Sequence, residues 1–294
     1  MVGVLRRAGC VSVLPASIDS LRAFLLDRID AGRKRATLEH YLATLGLAHR
    51  LAKLSWPLET MEGRLMWRAL RRDPRLSLRQ RQAQGLTLED VEKILLPLQE
   101  TDPRDVRDRA LLWLAYETMA RRSELVALQV EDLASEPDGT GRLIIARSKA
   151  DQEGQGELLF VSVETMQSVQ RWLELTGHIE GALFRSIPHI AKAAGDELGG
   201  NGRYPRPLTD GDIARIYKRR ARAAGIDPTL ISGHSMRVGA TQDLLAGNFS
   251  AAAVMKQGRW KSERMVMRYG ENIEAGRGAM AQLLKERRGG KEGE

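Results

Sequence analysis

Between Arg71 and Gly85 the chain loses its apolar periodicity, and that interruption limits how the rest can fold. The run Arg71-Arg72-Asp73-Pro74-Arg75, continuing through Arg79, Arg81 and Gly85, mixes proline, glycine and arginine as a linker does. Before it, apolar residues recur at helical spacing, first Leu21, Phe24 and Leu25, then Leu38, Leu42, Leu45 and Leu47. Ser17 or Asp19 is expected to cap the first helix and Thr37 the second, with Pro57 breaking the second from the third. The expected organisation is a poorly patterned N-terminus over residues 1–15, a helical domain over 16–73 and a basic linker over 74–86.

Beyond the linker, Thr87 followed by Asp90 and an apolar run marks a helix start. A long helical pattern extends from Val106 to Met119. Residues 142–147 and 157–162 read as two short strands joined in a hairpin through a polar, glycine-containing turn. Helical signals return over 165–175, 209–224, 234–245 and 251–257. The second domain is thus expected over 87–270, mainly helical with a small sheet. A tail helix over 271–294 carries Met280, Leu283 and Leu284 on one narrow stripe, suited to docking on a neighbouring protomer.

The formal net charge of +8 is unevenly placed. Residues 1–86 hold 16 Lys and Arg against 7 Asp and Glu, and the remainder holds 30 against 31. A basic first third beside a near-neutral remainder suits an electrostatic grip on a polyanion. The single cysteine, Cys10, rules out an intrachain disulfide and a cysteine-rich metal site, in keeping with a reducing cytoplasm. No apolar run approaches the ~20 residues that a membrane span needs.

Five passages of the second domain carry side chains fit for chemistry: Arg121 with Glu124, Lys149 at the hairpin, His234-x-x-Arg237, Trp260, and Tyr269. Breaking a phosphodiester without metal requires a nucleophile, cationic donors around the non-bridging oxygens and an acid for the departing oxygen. Arg121 and Arg237 offer planar forks for a phosphate. His234 and Arg237, at i and i+3, would face one point from one helix. Trp260 has a single N–H to donate, and Tyr269 has a phenol, a weak acid that demands electrostatic help to act as a nucleophile. Taken singly, each has a plainer role: a surface ion-pair cluster for Arg121 and Glu124, a turn lysine, a structural histidine, a core tryptophan, an amphipathic-helix tyrosine.

Taken in order, the set resembles the active-site residues of the tyrosine recombinase (phage integrase) family. It is most similar to the Cre-like members, in which a tryptophan stands where many relatives have a second histidine. Arg121 to Lys149 spans 28 residues, His234 to Trp260 26, and Trp260 to Tyr269 9, intervals that look the same as theirs. The chain departs from them in having only about fifteen unpatterned residues where they carry additional N-terminal helices.

The resemblance implies a two-domain DNA clamp, with a helical core-binding domain and an α+β catalytic domain. It implies attack by Tyr269 on the scissile phosphate, with Arg121 and Arg237 on the phosphate and Lys149 protonating the leaving oxygen. His234 would orient or deprotonate the tyrosine, Trp260 would donate to a phosphate oxygen, and Glu124 would buttress Arg121 and His234. No cofactor or metal is implied. The implied partner is double-stranded DNA with inverted-repeat sites around a short spacer, bound by a homotetramer on two sites in a bacterial or phage setting. Candidate DNA contacts, chosen on charge, are Arg33, Lys34, Arg35, Arg71, Arg72, Arg75, Arg79, Arg81, Arg215, Lys218 and Arg219. Competing readings are a type IB topoisomerase or telomere resolvase, a catalytically silent DNA-binding relative, and a helical protein-interaction module.

Overall fold

A computed structural model describes residues 14–76, 82–145, 156–187 and 206–277. The chain divides between Gln82 and Ala83 into two units.

The first unit contains α1 (Ile18–Asp30), α2 (Arg35–Leu51) and α3 (Met61–Leu70). Ser17 caps α1, its hydroxyl accepting from the Ser20 N–H at 3.1 Å. At α2 the expectation of a Thr37 cap is corrected: the N-cap is Lys34, which makes no side-chain cap bond. The cause lies in how α1 ends. Gly32 adopts left-handed backbone (φ 70°) and the Arg33 N–H returns to the Arg28 carbonyl at 3.0 Å, so helix resumes at once and Thr37 falls inside its first turn. Leu21, Phe24, Leu25, Leu38 and Leu42 bury against Trp56, with Leu45 at the edge. Leu47 is exposed, since nine residues beyond Leu38 lies on the opposite side of the helix.

The second unit is mainly helical, and one small antiparallel sheet is ordered β1-β2-β3. It opens with α4 (Leu88–Leu95), held by the expected reciprocal cap between Thr87 and Asp90, then α5 (Pro103–Glu117) and α6 (Arg122–Ala127). The strands are β1 (Leu133–Ser135), β2 (Gly141–Ile145) and β3 (Glu157–Val161). After them come α7 (Val163–Thr176), α8 (Asp210–Ala223), α9 (Ser235–Ala246), α10 (Ala251–Gly258) and α11 (Glu263–Arg277). The three-residue β1 pairs Leu133 with Leu143 and is too short to show alternation in sequence. α11 runs unbroken across the expected boundary at residue 270.

Leu143, Ile145, Leu159 and Val161 point from the sheet into a core shared with Leu111, Leu114, Val169 and Trp172 of α5 and α7. α9 crosses this body and packs against α5, α10 and α11. The chain entering the unit is pinned to α9: the Leu86 N–H donates to the Ser235 carbonyl at 2.9 Å. A Cβ at Gly239 would sit 1.8 Å from the Leu86 carbonyl oxygen, so only glycine permits this approach. No described helix is long and apolar enough to cross a membrane.

Candidate active site

The site is assembled where α5 stops. Thr118 turns its hydroxyl back to the Leu114 carbonyl, and Met119 takes left-handed backbone (φ 51°), which ends the helix and reverses the chain. Arg121 therefore stands beyond the long helix, as the N-cap of the short α6. Glu124, buried one turn on, accepts from the Arg121 backbone N–H at 2.8 Å and from its guanidinium. The expectation that Glu124 also holds His234 gives way to another cation: its Oε2 accepts from Arg259 Nη2 at 2.8 Å. Arg121 Nη2 in turn donates to the Arg259 carbonyl at 3.2 Å. Burial works against the Glu124 carboxylate, but bonds from Arg121 and the charge of Arg259 prevail and hold its pKa below the usual range.

α9 contributes two residues from its first turn. His234 is the N-cap and is exposed, while Arg237 is 2% exposed. A Cβ at Gly233 would lie 1.8 Å from Arg122 Cδ, so glycine lets that arginine lie close to the turn before α9. Packing around the imidazole and the nearby Arg122, Arg237 and Arg121 lower the His234 pKa. Arg237 donates from Nη1 to the Met119 carbonyl at 2.6 Å and from Nη2 to the Gly258 carbonyl. Carbonyls orient this cation without neutralising it. Burial, Arg121 and Arg259 all press its pKa down, yet a guanidinium keeps its proton, so the pocket favours an incoming anion.

α10 closes at Gly258, and left-handed Arg259 (φ 53°) swings Trp260 back over the site. The Trp260 ring packs with Leu245, Val254 and Val266 on one side and takes the Arg237 guanidinium on its face at 3.9 Å. Its indole N–H is buried and has no hydrogen-bond partner among the described residues. Tyr269, half-buried on α11, has its ring centre 5.3 Å from that of Trp260. Gln242 of α9 donates to the Tyr269 carbonyl at 3.3 Å, fixing the helix that carries the phenol. Arg121, Arg237, Trp260 and Tyr269 thus gather from four separate turns and helices. Lys149 lies outside the described residues.

The charge-based candidates fare unevenly. Arg33, Lys34, Arg71, Arg72 and Lys218 are exposed, while Arg79 and Arg81 lie outside the described residues. Arg35 pairs with Glu39, Arg75 with Asp73 and Asp30, and Arg215 with Asp212. Arg219 reaches the fully buried Asp108 at 2.6 Å. Two residues overlooked in the sequence, Arg64 and Arg68, line a cleft of the first unit with Arg71, Leu58 and Trp67. Their spacing at i, i+4 and i+7 was the available signal. Arg259, one basic residue among Lys256, Lys261 and Arg264, gave none.

The sequence model of the Phage integrase family matches residues 84–275. An integrase/recombinase xerD homolog of Selenomonas ruminantium is 29% identical over 268 residues, covering 88% of this chain and 74% of that protein. Recombinase cre of Escherichia phage P1 is 27% identical over 281 residues, covering 92% and 81%. Among solved structures, XerH site-specific recombinase bound to palindromic difH substrate, in a post-cleavage complex, has a TM-score of 0.60 at 16% identity, covering 88% of this chain and 70% of that one. A lambda integrase dimer bound to a COC′ core site has a TM-score of 0.57 at 19% identity, covering 91% and 68%.

Proposed function

The chain belongs to the phage integrase family, and from that premise we propose that it is a site-specific DNA recombinase that cleaves and rejoins DNA through Tyr269. The Tyr269 phenolate oxygen attacks the scissile phosphorus, forming a 3′-phosphotyrosyl bond and releasing a 5′-hydroxyl. The same step in reverse, with a 5′-hydroxyl from a partner duplex, restores the phosphodiester and frees the tyrosine. Phosphoester bonds are exchanged one for one, so no ATP is consumed.

The observation that carries this reading is the cluster of Arg237, Trp260 and Tyr269, with an indole N–H that has no partner among the described residues beside a cation whose hydrogen bonds go to carbonyls. An anionic phosphate would give that N–H an acceptor and that cation a counter-ion. Arg121 and Arg237 hold the non-bridging oxygens, Lys149 protonates the leaving 5′ oxygen, and His234 orients the phenol or takes its proton. Glu124 holds Arg121. Both of its oxygens are engaged by arginines, which supports a reaction without metal.

The helical domain at 16–73, the linker at 74–86 and the catalytic domain at 87–270 each contact double-stranded DNA. Four copies act on two inverted-repeat sites with a short spacer, each copy's tail docking on a neighbour through Met280, Leu283 and Leu284, which lie outside the described residues. A nicked duplex that loses its 5′-hydroxyl fragment on cleavage should trap the wild-type chain as a covalent adduct on a denaturing gel. Tyr269→Phe should form none while binding DNA nearly as well. An adduct with that variant would place the nucleophile elsewhere.

A further inference from the structure

We propose that Arg259 is a positioning residue for the strand-transfer step, holding Arg121 from two sides. Its main-chain carbonyl accepts from Arg121 Nη2 at 3.2 Å. Its guanidinium donates to Glu124 Oε2 at 2.8 Å, and the other Glu124 oxygen accepts from Arg121 Nη1. Arg121, Glu124 and Arg259 therefore close a ring in which each touches the other two.

The same guanidinium is fastened elsewhere. Nη1 donates to the Thr118 carbonyl at 3.0 Å, at the end of the helix that leads into Arg121. Nε makes no hydrogen bond among the described residues but stands at ion-pair distance, 3.5 Å, from Glu157 Oε2, at the start of β3 where the hairpin returns to the sheet. One side chain, 6% exposed, thereby ties the arginine turn to the root of the hairpin. Arg237 takes no part in the ring but shares the Met119 carbonyl, which Arg259 Nη2 reaches at 3.5 Å. A buried cation with this many acceptors is costly to desolvate, and the contacts it makes converge on Arg121 rather than on the apolar core.

The backbone at Arg259 offers a clean test. Its φ of 53° is a conformation that glycine adopts freely, so Arg259→Gly removes the guanidinium while easing the turn and keeping the carbonyl bond to Arg121. The proposal rests on Arg121 engaging the scissile phosphate, so the assay must separate the two ideas. Single-turnover adduct formation on the nicked duplex would be followed across pH for wild type, Arg259→Gly and Arg259→Lys. Arg259→Gly should stay folded at the assay temperature, the eased turn offsetting part of the cost of leaving Glu124 short of a buried counter-ion, yet cleave about 10- to 100-fold more slowly, as loosened alignment does. Arg259→Lys should recover part of that loss.

Glu124 is faced by Arg121 and Arg259, with Arg237 nearby, and losing one of these cations raises the pH at which its carboxylate takes a proton. A Glu124 limb, lying below that of His234, should therefore move upward in the Arg259→Gly profile, and in a Glu124→Gln background the Arg259→Gly substitution should add little further loss. Wild-type rate with an unmoved profile would overturn the proposal and leave the tyrosine chemistry standing. Absence of any adduct from the wild-type chain would remove the reading of function and this inference with it.

Discussion

The guanidinium carbon of Arg237 lies 3.9 Å from the centre of the Trp260 ring. The indole thus has two separable tasks, a face for the cation and an N–H for the phosphate. Trp260→Phe keeps the first and loses the second. Its cleavage rate should fall about tenfold, the worth of one hydrogen bond to a charged acceptor, with thermal stability little changed. Trp260→Ala loses both and also the packing on Leu245, Val254 and Val266, so its folding free energy should drop by about 2 kcal/mol. Equal rates for the wild type and Trp260→Phe would show that the N–H makes no bond to the phosphate.

His234 should set the low-pH behaviour. Its pKa lies below the ordinary 6.5, through the packing around it and the charges of Arg122, Arg237 and Arg121. The neutral, proton-accepting imidazole accordingly persists to lower pH than a free histidine allows. Single-turnover cleavage should fall only as pH drops through a value below 6.5, and His234→Gln should abolish that limb. Stability follows the same sign: the unfolded chain takes this proton first, so the contribution is lost as pH falls from 6.5 toward the lowered value. A limb above 6.5 in the wild type would contradict the assignment.

Lys149 is argued from position in the sequence, and its test turns on the leaving group. Lys149→Ala should slow cleavage of ordinary DNA severely. A 5′-bridging phosphorothiolate, whose sulfur departs without a proton, should restore most of the rate. Arg121→Ala should not be rescued, because the non-bridging oxygens it holds are unchanged. Equal rescue of both variants, or of neither, would mean that another group is the acid.

Asp108 tests the scaffold away from the chemistry. It is fully buried on α5 and accepts from Arg107, Arg219 and Arg220, binding α8 to α5. Asp108→Asn removes the charge and leaves the buried Arg107 without its counter-ion, while Arg220 keeps Asp105, a loss of about 3 kcal/mol. Chemical denaturation should show that drop with an unchanged m-value. An unaffected midpoint would mean that water already screens the cluster.

Periodicity and punctuation disclosed the helices and the hairpin because Leu21, Phe24 and Leu25, or Thr87 and Asp90, act within a turn or two of chain. Residue type and interval likewise disclosed Arg121, Arg237, Trp260 and Tyr269, which the fold brings together. What stayed hidden depends on distant partners. Arg259 matters through Thr118 and Glu124, more than a hundred residues away, and no local pattern announces such bonds. Arg219, a plain basic residue in sequence, is tied to a buried carboxylate that composition cannot locate. Thr37 was misplaced because the end of the preceding helix, rather than its own capping preference, set where the next began.

The clasp of Arg237 and Arg259 on Thr118, Met119 and Gly258 uses peptide oxygens alone at those three positions. Every amino acid supplies that oxygen, so substitution there cannot delete an anchor. Only a change in chain length can: one residue inserted between Thr118 and Arg121 would rotate the anchors out of reach. Each anchoring oxygen therefore survives a change of side chain, although a Cβ at Gly258 would lie 2.3 Å from Trp260 Nε1 and holds that position to glycine, and the residue count of the turns is fixed.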